Sequence, residues 1–239
     1  RESLSDDLSP RRQIANRRAP VNLQEHSIPL KDIAELHRGQ SLASVQKKSK
    51  DQEAQADPLH VHEASTSDIG KDGMLHRPEK TIQCSDLLTA KRKQLILRPY
   101  DILLAIKGVI GLVALVPDMG QEIWIPNQTF QIIRTKRDFD PIVLFYLLQS
   151  KHIQNILHSK VTGNSVWQVK SEDIKNLSIP VLSDNAKKNI LKQHENIMKI
   201  NKDIQNKEQE RSNTFEEIQK AIYNQISYKT WKPDDTEWF

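Results

Sequence analysis

The stretch Asp101-Ile-Leu-Leu-Ala-Ile-Lys-Gly-Val-Ile-Gly-Leu-Val-Ala-Leu-Val116 is the most apolar part of the chain. A membrane-spanning helix needs about 20 apolar residues without a charge. This run is shorter and carries Lys107 and Gly108 at its centre. Two glycines and many β-branched residues also disfavour a soluble helix. The reading that remains is two strands, Ile102–Ile106 and Leu112–Val116, joined by a tight turn through Gly108 and Gly111. Glycine enters left-handed conformations at little steric cost, which suits such a turn. Near-continuous apolarity predicts that both faces of this hairpin are covered.

Outward from the hairpin toward the N-terminus, Lys91-Arg92-Lys93 and Arg98 form a basic cluster. Ile69-Gly-Lys-Asp-Gly73 is a turn signal. Leu59-His-Val-His62 alternates as a strand would, which places His60 and His62 on one face next to Glu63. No third ligand stands at a useful spacing, so no metal site is assigned. Residues 44–57 are charged and aperiodic and read as a surface loop. Leu30–Leu36 has helix-like apolar spacing. Residues 1–26, with two Arg-Arg pairs and little apolar periodicity, read as a linker or arm.

Toward the C-terminus, Glu122–Ile125 and Thr129–Arg134 read as two more strands around Pro126-Asn127. A second basic cluster, Arg134-Thr-Lys-Arg137, follows. Asp140-Pro141 predicts a helix start, with Asp as N-cap and Pro in the first turn. Val143, Leu144, Leu147, Leu148, Ile153, Ile156 and Leu157 continue the helical spacing to a stop at Gly163. A strand is expected to end at Ile179-Pro180. From Ser183 or Asp184 to about Ile226 there is neither Gly nor Pro. Ile190, Ile197, Ile204 and Ile218 occupy one heptad position, which Arg211 interrupts, and Ile200, Phe215, Ala221 and Ile222 broaden the stripe. So narrow a stripe suits one partner helix, not burial in a globule. The tail 227–239 holds Tyr228, Trp231, Trp238 and Phe239 among acids.

The expected organisation is therefore a mixed-sheet α+β domain at 27–181, a long coiled-coil-like helix at 182–226 and an aromatic tail. One cysteine in 239 residues, Cys84, excludes an internal disulfide or a multi-cysteine zinc site. That composition, with no signal peptide or membrane span, predicts a cytoplasmic protein. The net charge is +4, and segment 27–181 has 20 Lys and Arg against 17 Asp and Glu, or +3. Such an excess permits nucleic-acid binding without requiring it.

Catalytic patterns are missing from the sequence. Gly108-Val-Ile-Gly111 lacks the third glycine and the strand–helix context of a dinucleotide loop. There is no Walker lysine, no Gly-x-Ser-x-Gly elbow and no nuclease-like carboxylate–lysine set. The chain has no Pro-Pro, so it lacks the Asn/Asp-Pro-Pro-aromatic tetrapeptide of adenine-N6 methyltransferases, and Arg98-Pro-Tyr100 does not replace it.

The ordered segments Leu97-Arg-Pro-Tyr-Asp-Ile-Leu-Leu-Ala-Ile-Lys-Gly-Val-Ile-Gly111, Ile125-Pro-Asn-Gln128, Asp140-Pro-Ile-Val-Leu-Phe-Tyr-Leu-Leu-Gln-Ser150, Val161-Thr-Gly163 and Leu177-Ser-Ile-Pro180 carry a family resemblance. Over about residues 28–226 the chain resembles type I restriction–modification specificity subunits. In that family each target-recognition domain ends in an Ile-Pro strand and runs into a long helix.

The resemblance implies DNA sequence recognition for an adenine-N6 methyltransferase in a bacterium or archaeon. It implies no catalysis in this chain, with S-adenosylmethionine held by an associated catalytic domain. A full specificity subunit has two recognition domains and two helices that pair antiparallel, and this chain has one of each. It thus resembles a half-subunit, or the C-terminal recognition region of a larger methyltransferase with its catalytic domain upstream of Arg1. The implied partners are double-stranded DNA, the methyltransferase domain or subunit, and a second copy of the chain through the long helix. The DNA-contact candidates are Lys71, Arg77, Lys91, Arg92, Lys93, Arg98, Arg134, Lys136 and Arg137; lysine and arginine would meet phosphates, and arginine could also read base edges. The helix-pairing candidates are Ile190, Ile197, Ile200, Ile204, Phe215, Ile218 and Ile222. A competing reading is a regulatory or assembly protein whose coiled coil mediates association and whose globular domain binds protein.

Overall fold

The computed structural model describes residues 27–41, 59–84, 92–163 and 166–227. The arm at 1–26, the loop at 44–57, Lys91 and the tail from Tyr228 onward lie outside the described residues. The chain divides between Ile190 and Leu191 into two compact units.

The apolar stretch forms the antiparallel hairpin expected of it, β5 (Ile102–Ala105) with β6 (Val113–Leu115), in the register Leu104↔Val113. Every side chain of β5 is buried, so both of its faces are covered. Gly108 (φ +68°) and Gly111 (φ +86°) turn the chain between the strands. A side chain at Gly111 would also collide with Gln154, whose amide donates to the Gly111 carbonyl at 2.8 Å.

β8 (Phe130–Thr135) pairs antiparallel with β5 on one side and with β2 (Ala34–Arg38) on the other, giving a four-stranded sheet in the order β2-β8-β5-β6. A second sheet places β3 (Leu59–Ala64) between antiparallel β4 (Thr81–Cys84) and parallel β7 (Trp124–Pro126). β7 and β8 are thus sequence neighbours in different sheets. The main core lies where these sheets meet, with Ala64 and Trp124 of the second sheet packed with Leu103, Ala105, Ala114, Phe130 and Ile132 of the first. A small third sheet joins β1 (Ser27–Pro29) to β9 (Ser178–Pro180), so two Ser-Ile-Pro segments lie antiparallel.

Two helical expectations need correction. Leu30–Leu36 is not one helix: a single turn, α1 (Leu30–Ile33), gives way to β2 at Ala34, because the backbone of Leu36 pairs with Ile133 in the sheet. Leu30 and Ile33 are buried, which is what the helical spacing registered. The run after Asp140 is two helices, α2 (Pro141–Gln149) and α3 (Lys151–Ser159). Asp140 caps the first as expected, accepting from the Ile142 and Val143 amides. Ser150 takes an extended conformation and caps the second, its hydroxyl accepting from the Ile153 amide. A short helix α4 (Ser171–Lys175) precedes β9.

The last described element is α5 (Asp184–Ser227), an unbroken helix of 44 residues, about 66 Å long at 1.5 Å per residue. Ser183 caps it, accepting from the Ala186 amide. Among the described residues no helix is long and apolar enough to cross a membrane.

Candidate nucleic-acid interface

The register Ile102↔Ile133 places Asp101, just before β5, opposite Arg134 on β8. The two side chains form a bidentate pair: Arg134 Nε donates to Asp101 Oδ1 at 2.8 Å and Nη2 to Oδ2 at 2.6 Å. Arg134 Nη2 also donates to the Ile96 carbonyl at 3.1 Å. Asp101 is 2% exposed and Arg134 11%. Arg134 therefore spends its fork on an internal carboxylate and a backbone carbonyl. Parallel N–H···O bonds of this kind fix geometry as well as charge.

Around this pair opens a groove of about 510 Å³ lined by Glu35, Arg98–Asp101 and Arg134–Arg137. Arg98 and Arg137 are exposed, and neither forms an ion pair with a described acid. Lys136 is exposed too, but its ammonium donates to the Lys31 and Asp32 carbonyls at 3.2 and 2.9 Å. Arg98 of the first cluster and the second cluster, some 35 residues apart in sequence, thus share one groove. Its wall holds one partly buried, ion-paired cation, Arg134, and its rim presents Arg98, Lys136 and Arg137.

The turn Arg98-Pro-Tyr-Asp101 shapes the rim. The Asp101 amide donates to the Arg98 carbonyl at 3.0 Å, and Asp101 Oδ2 accepts from the Arg98 amide at 2.8 Å. Pro99 stands second and Tyr100 third, with φ +67° at Tyr100. That is the pattern of a type II turn, whose third position normally takes glycine or asparagine. Tyr100 is the sole non-glycine residue with positive φ among the described residues, and it is 55% exposed. The sequence holds no sign of this, because Pro-Tyr lacks the glycine that usually marks the turn.

The other basic candidates lie elsewhere or are engaged. Arg92 and exposed Lys93 open a short 3-10 turn, Lys93–Leu95, that packs near β2. Lys71 lines a separate hollow of about 320 Å³ with Gly111, Leu112 and Gln154. Arg77 Nε donates to Glu122 at 2.7 Å. The Trp124 indole N–H, at 2.9 Å, and the Arg77 guanidinium hold the Glu122 carboxyl below its usual range.

The His60, Glu63 and His62 set is occupied by structure. His62 Nδ1 donates to the Pro78 carbonyl at 2.8 Å, which leaves Nε2 to accept from Arg77 at 3.3 Å. Buried Glu63 pairs with Lys80, and His60 is exposed. Among the described residues no three His, Cys, Asp or Glu side chains are grouped to hold a metal.

On α5, successive residues advance by about 100°. Ile190, Ile197, Ile200, Ile204, Phe215, Ile218 and Ile222 then fall within an arc of about 80°. Ile200, Ile204, Phe215, Ile218 and Ile222 are 49–59% exposed, Ile197 is 38% exposed and Ile190 is half-buried.

Among known proteins, no curated sequence matches the chain. A solved structure from work on complex assembly and conformational transition of the type I R-M system aligns with a TM-score of 0.52 at 14% identity, over 90% of this chain and 50% of its own. The type IIG restriction endonuclease BpuSI aligns at 0.51 and 10% identity, over 77% of this chain and 28% of its own. The HsdS subunit from Thermoanaerobacter tengcongensis aligns at 0.47 and 14%, over 79% and 42%. For the first two the likeness is one of fold, and the chain spans half the length or less of each of these structures. The sequence itself matches the family model for the type I restriction modification DNA specificity domain across residues 25–211. Since that match takes in the sheets, the groove and the first half of the long helix, the chain belongs to the type I restriction–modification DNA specificity family.

Proposed function

We propose that this chain supplies DNA sequence recognition to an adenine-N6 methyltransferase and performs no chemistry itself. The observation that carries the reading is the family match over residues 25–211, joined to a groove whose exposed rim carries Arg98, Lys136 and Arg137. Arginine and lysine on such a rim suit phosphates, and a planar guanidinium can also take two acceptors on a guanine edge. S-adenosylmethionine belongs to the associated catalytic domain, and the stripe on α5 pairs with a helix of that domain or of a second copy. In this reading 182–226 acts as the spacer and pairing helix.

Arg134 is a poor probe of DNA binding, since its removal strands Asp101 in the interior. The informative variant is Arg98→Ala with Arg137→Ala. A mixed-sequence 30-base-pair duplex titrated with the full chain at two salt concentrations should show affinity falling steeply with salt, by about −0.9 in log–log slope per phosphate neutralised. The double variant should weaken binding to all duplexes alike and flatten the slope by about 2. Calorimetric titration with S-adenosylmethionine should give no binding heat. Salt-insensitive behaviour of the wild-type chain would favour the competing reading of a protein-binding module.

A further inference from the structure

We propose that Tyr100 is a DNA-contacting residue of the basic groove, its ring packed against a nucleotide whose flanking phosphates are met by Arg98 and Arg137. The inference rests on the DNA-binding reading above and adds a residue to it. A residue with a Cβ is strained at φ +67°, and such strain persists where the surroundings over-determine it. Here the determinants are visible. Pro99 fixes the second turn position. The Tyr100 amide donates to the Val116 carbonyl at 2.9 Å, and the Asp101 carboxylate accepts from the Arg98 amide while being held by Arg134. The turn is thus tied to Val116, just after β6, and to the Asp101–Arg134 ion pair, and its backbone is not free to relax.

Glycine would fit this backbone without strain. Tyrosine brings a large ring in return, yet the residue is 55% exposed and does not belong to the buried core. A strained, wet aromatic has no benefit for folding, so its return is sought in binding. Tyr100 lines the groove together with Arg98 and Arg137, both exposed. A rigidly held aromatic body with a polar tip loses little conformational freedom on contact and suits the sugar and base edges of a nucleotide, while the adjacent arginines suit phosphate.

The test uses Tyr100→Gly and Tyr100→Phe in the full chain, with Arg98→Ala/Arg137→Ala beside them. Thermal melting and titration of a mixed-sequence 30-base-pair duplex at low salt are both read. Tyr100→Gly should melt at the same temperature as wild type or higher, and bind the duplex about fivefold or more weakly, the low end for loss of one aromatic–nucleotide contact. Tyr100→Phe keeps the ring and should keep most of the affinity. A lowered melting temperature for Tyr100→Gly would make the ring structural and overturn the proposal. Unchanged affinity of Tyr100→Gly, while the double arginine variant weakens binding, would overturn it and leave the groove in place. A wild-type chain that fails to bind the duplex would remove the proposal together with the reading it rests on.

Discussion

The globular region and the long helix treat apolar side chains in opposite ways. In the first, Leu103, Ile125, Phe130, Ile132 and Leu144 are entirely buried, and an ion pair is enclosed with them. In α5, five large apolar residues from Ile200 to Ile222 remain about half exposed. Both regions carry clear apolar periodicity, yet only the first satisfies it internally. Periodicity alone therefore reports that a face will be covered, not what covers it. In the globular region the covering elements lie within the same fold. For α5 the cover proposed is another helix, which fits so narrow a stripe.

That contrast can be broken most sharply on the helix. Changing Ile204 and Ile218 to Asp should remove association through α5, at a cost of about 3–6 kcal/mol for two buried isoleucines, and leave the unfolding midpoint of the globular region unchanged. Sedimentation and urea denaturation read the two effects separately. A lowered midpoint with association intact would reverse the assignment of this stripe.

Inside the globular region, Arg134→Ala should cost about 3–5 kcal/mol, because a buried carboxylate is left without its partner. Urea denaturation checks it. Arg98→Ala and Arg137→Ala should each stay within about 0.5 kcal/mol of wild type, as exposed charges do. If all three behaved alike, the distinction between a sequestered and a presented cation would fail.

The smallest effect belongs to Glu122. Its folded-state carboxyl is held below its unfolded value by Trp124 and Arg77. Its contribution is therefore present above the ordinary carboxylate range and is lost as pH falls through the lower folded value. Glu122→Gln should be slightly less stable than wild type at neutral pH, and the gap should close in acid. Melting curves at pH 7 and pH 3 provide the comparison.

The readable parts of this chain were those fixed by local chemistry. The apolar run with its two glycines specified the β5–β6 hairpin, Asp140-Pro141 specified a helix start, and the absence of Gly and Pro after Ser183 specified an unbroken helix. What escaped depended on long-range pairing or on a single ambiguous residue. Ser150 could continue a helix or cap one, and only its extended backbone makes it a cap. Leu36 has helical spacing from Ile33, yet the ladder to β8 claims it. The cluster Arg134-Thr-Lys-Arg137 offers three equivalent DNA-contact candidates until strand pairing sets Asp101 opposite Arg134. The same pairing brings Arg98 to that groove, which no spacing in the sequence announces. The tension at Tyr100 lies in its backbone, which residue identity does not reveal.

The central claim is sequence recognition, and selection from duplexes with a randomised core tests it most directly. The full chain should enrich one short pattern of fixed bases over the input pool, and the Arg98→Ala/Arg137→Ala variant should recover less DNA at every sequence. A wild-type chain that retains the pool without enriching any pattern would contradict the account, whatever its affinity for DNA.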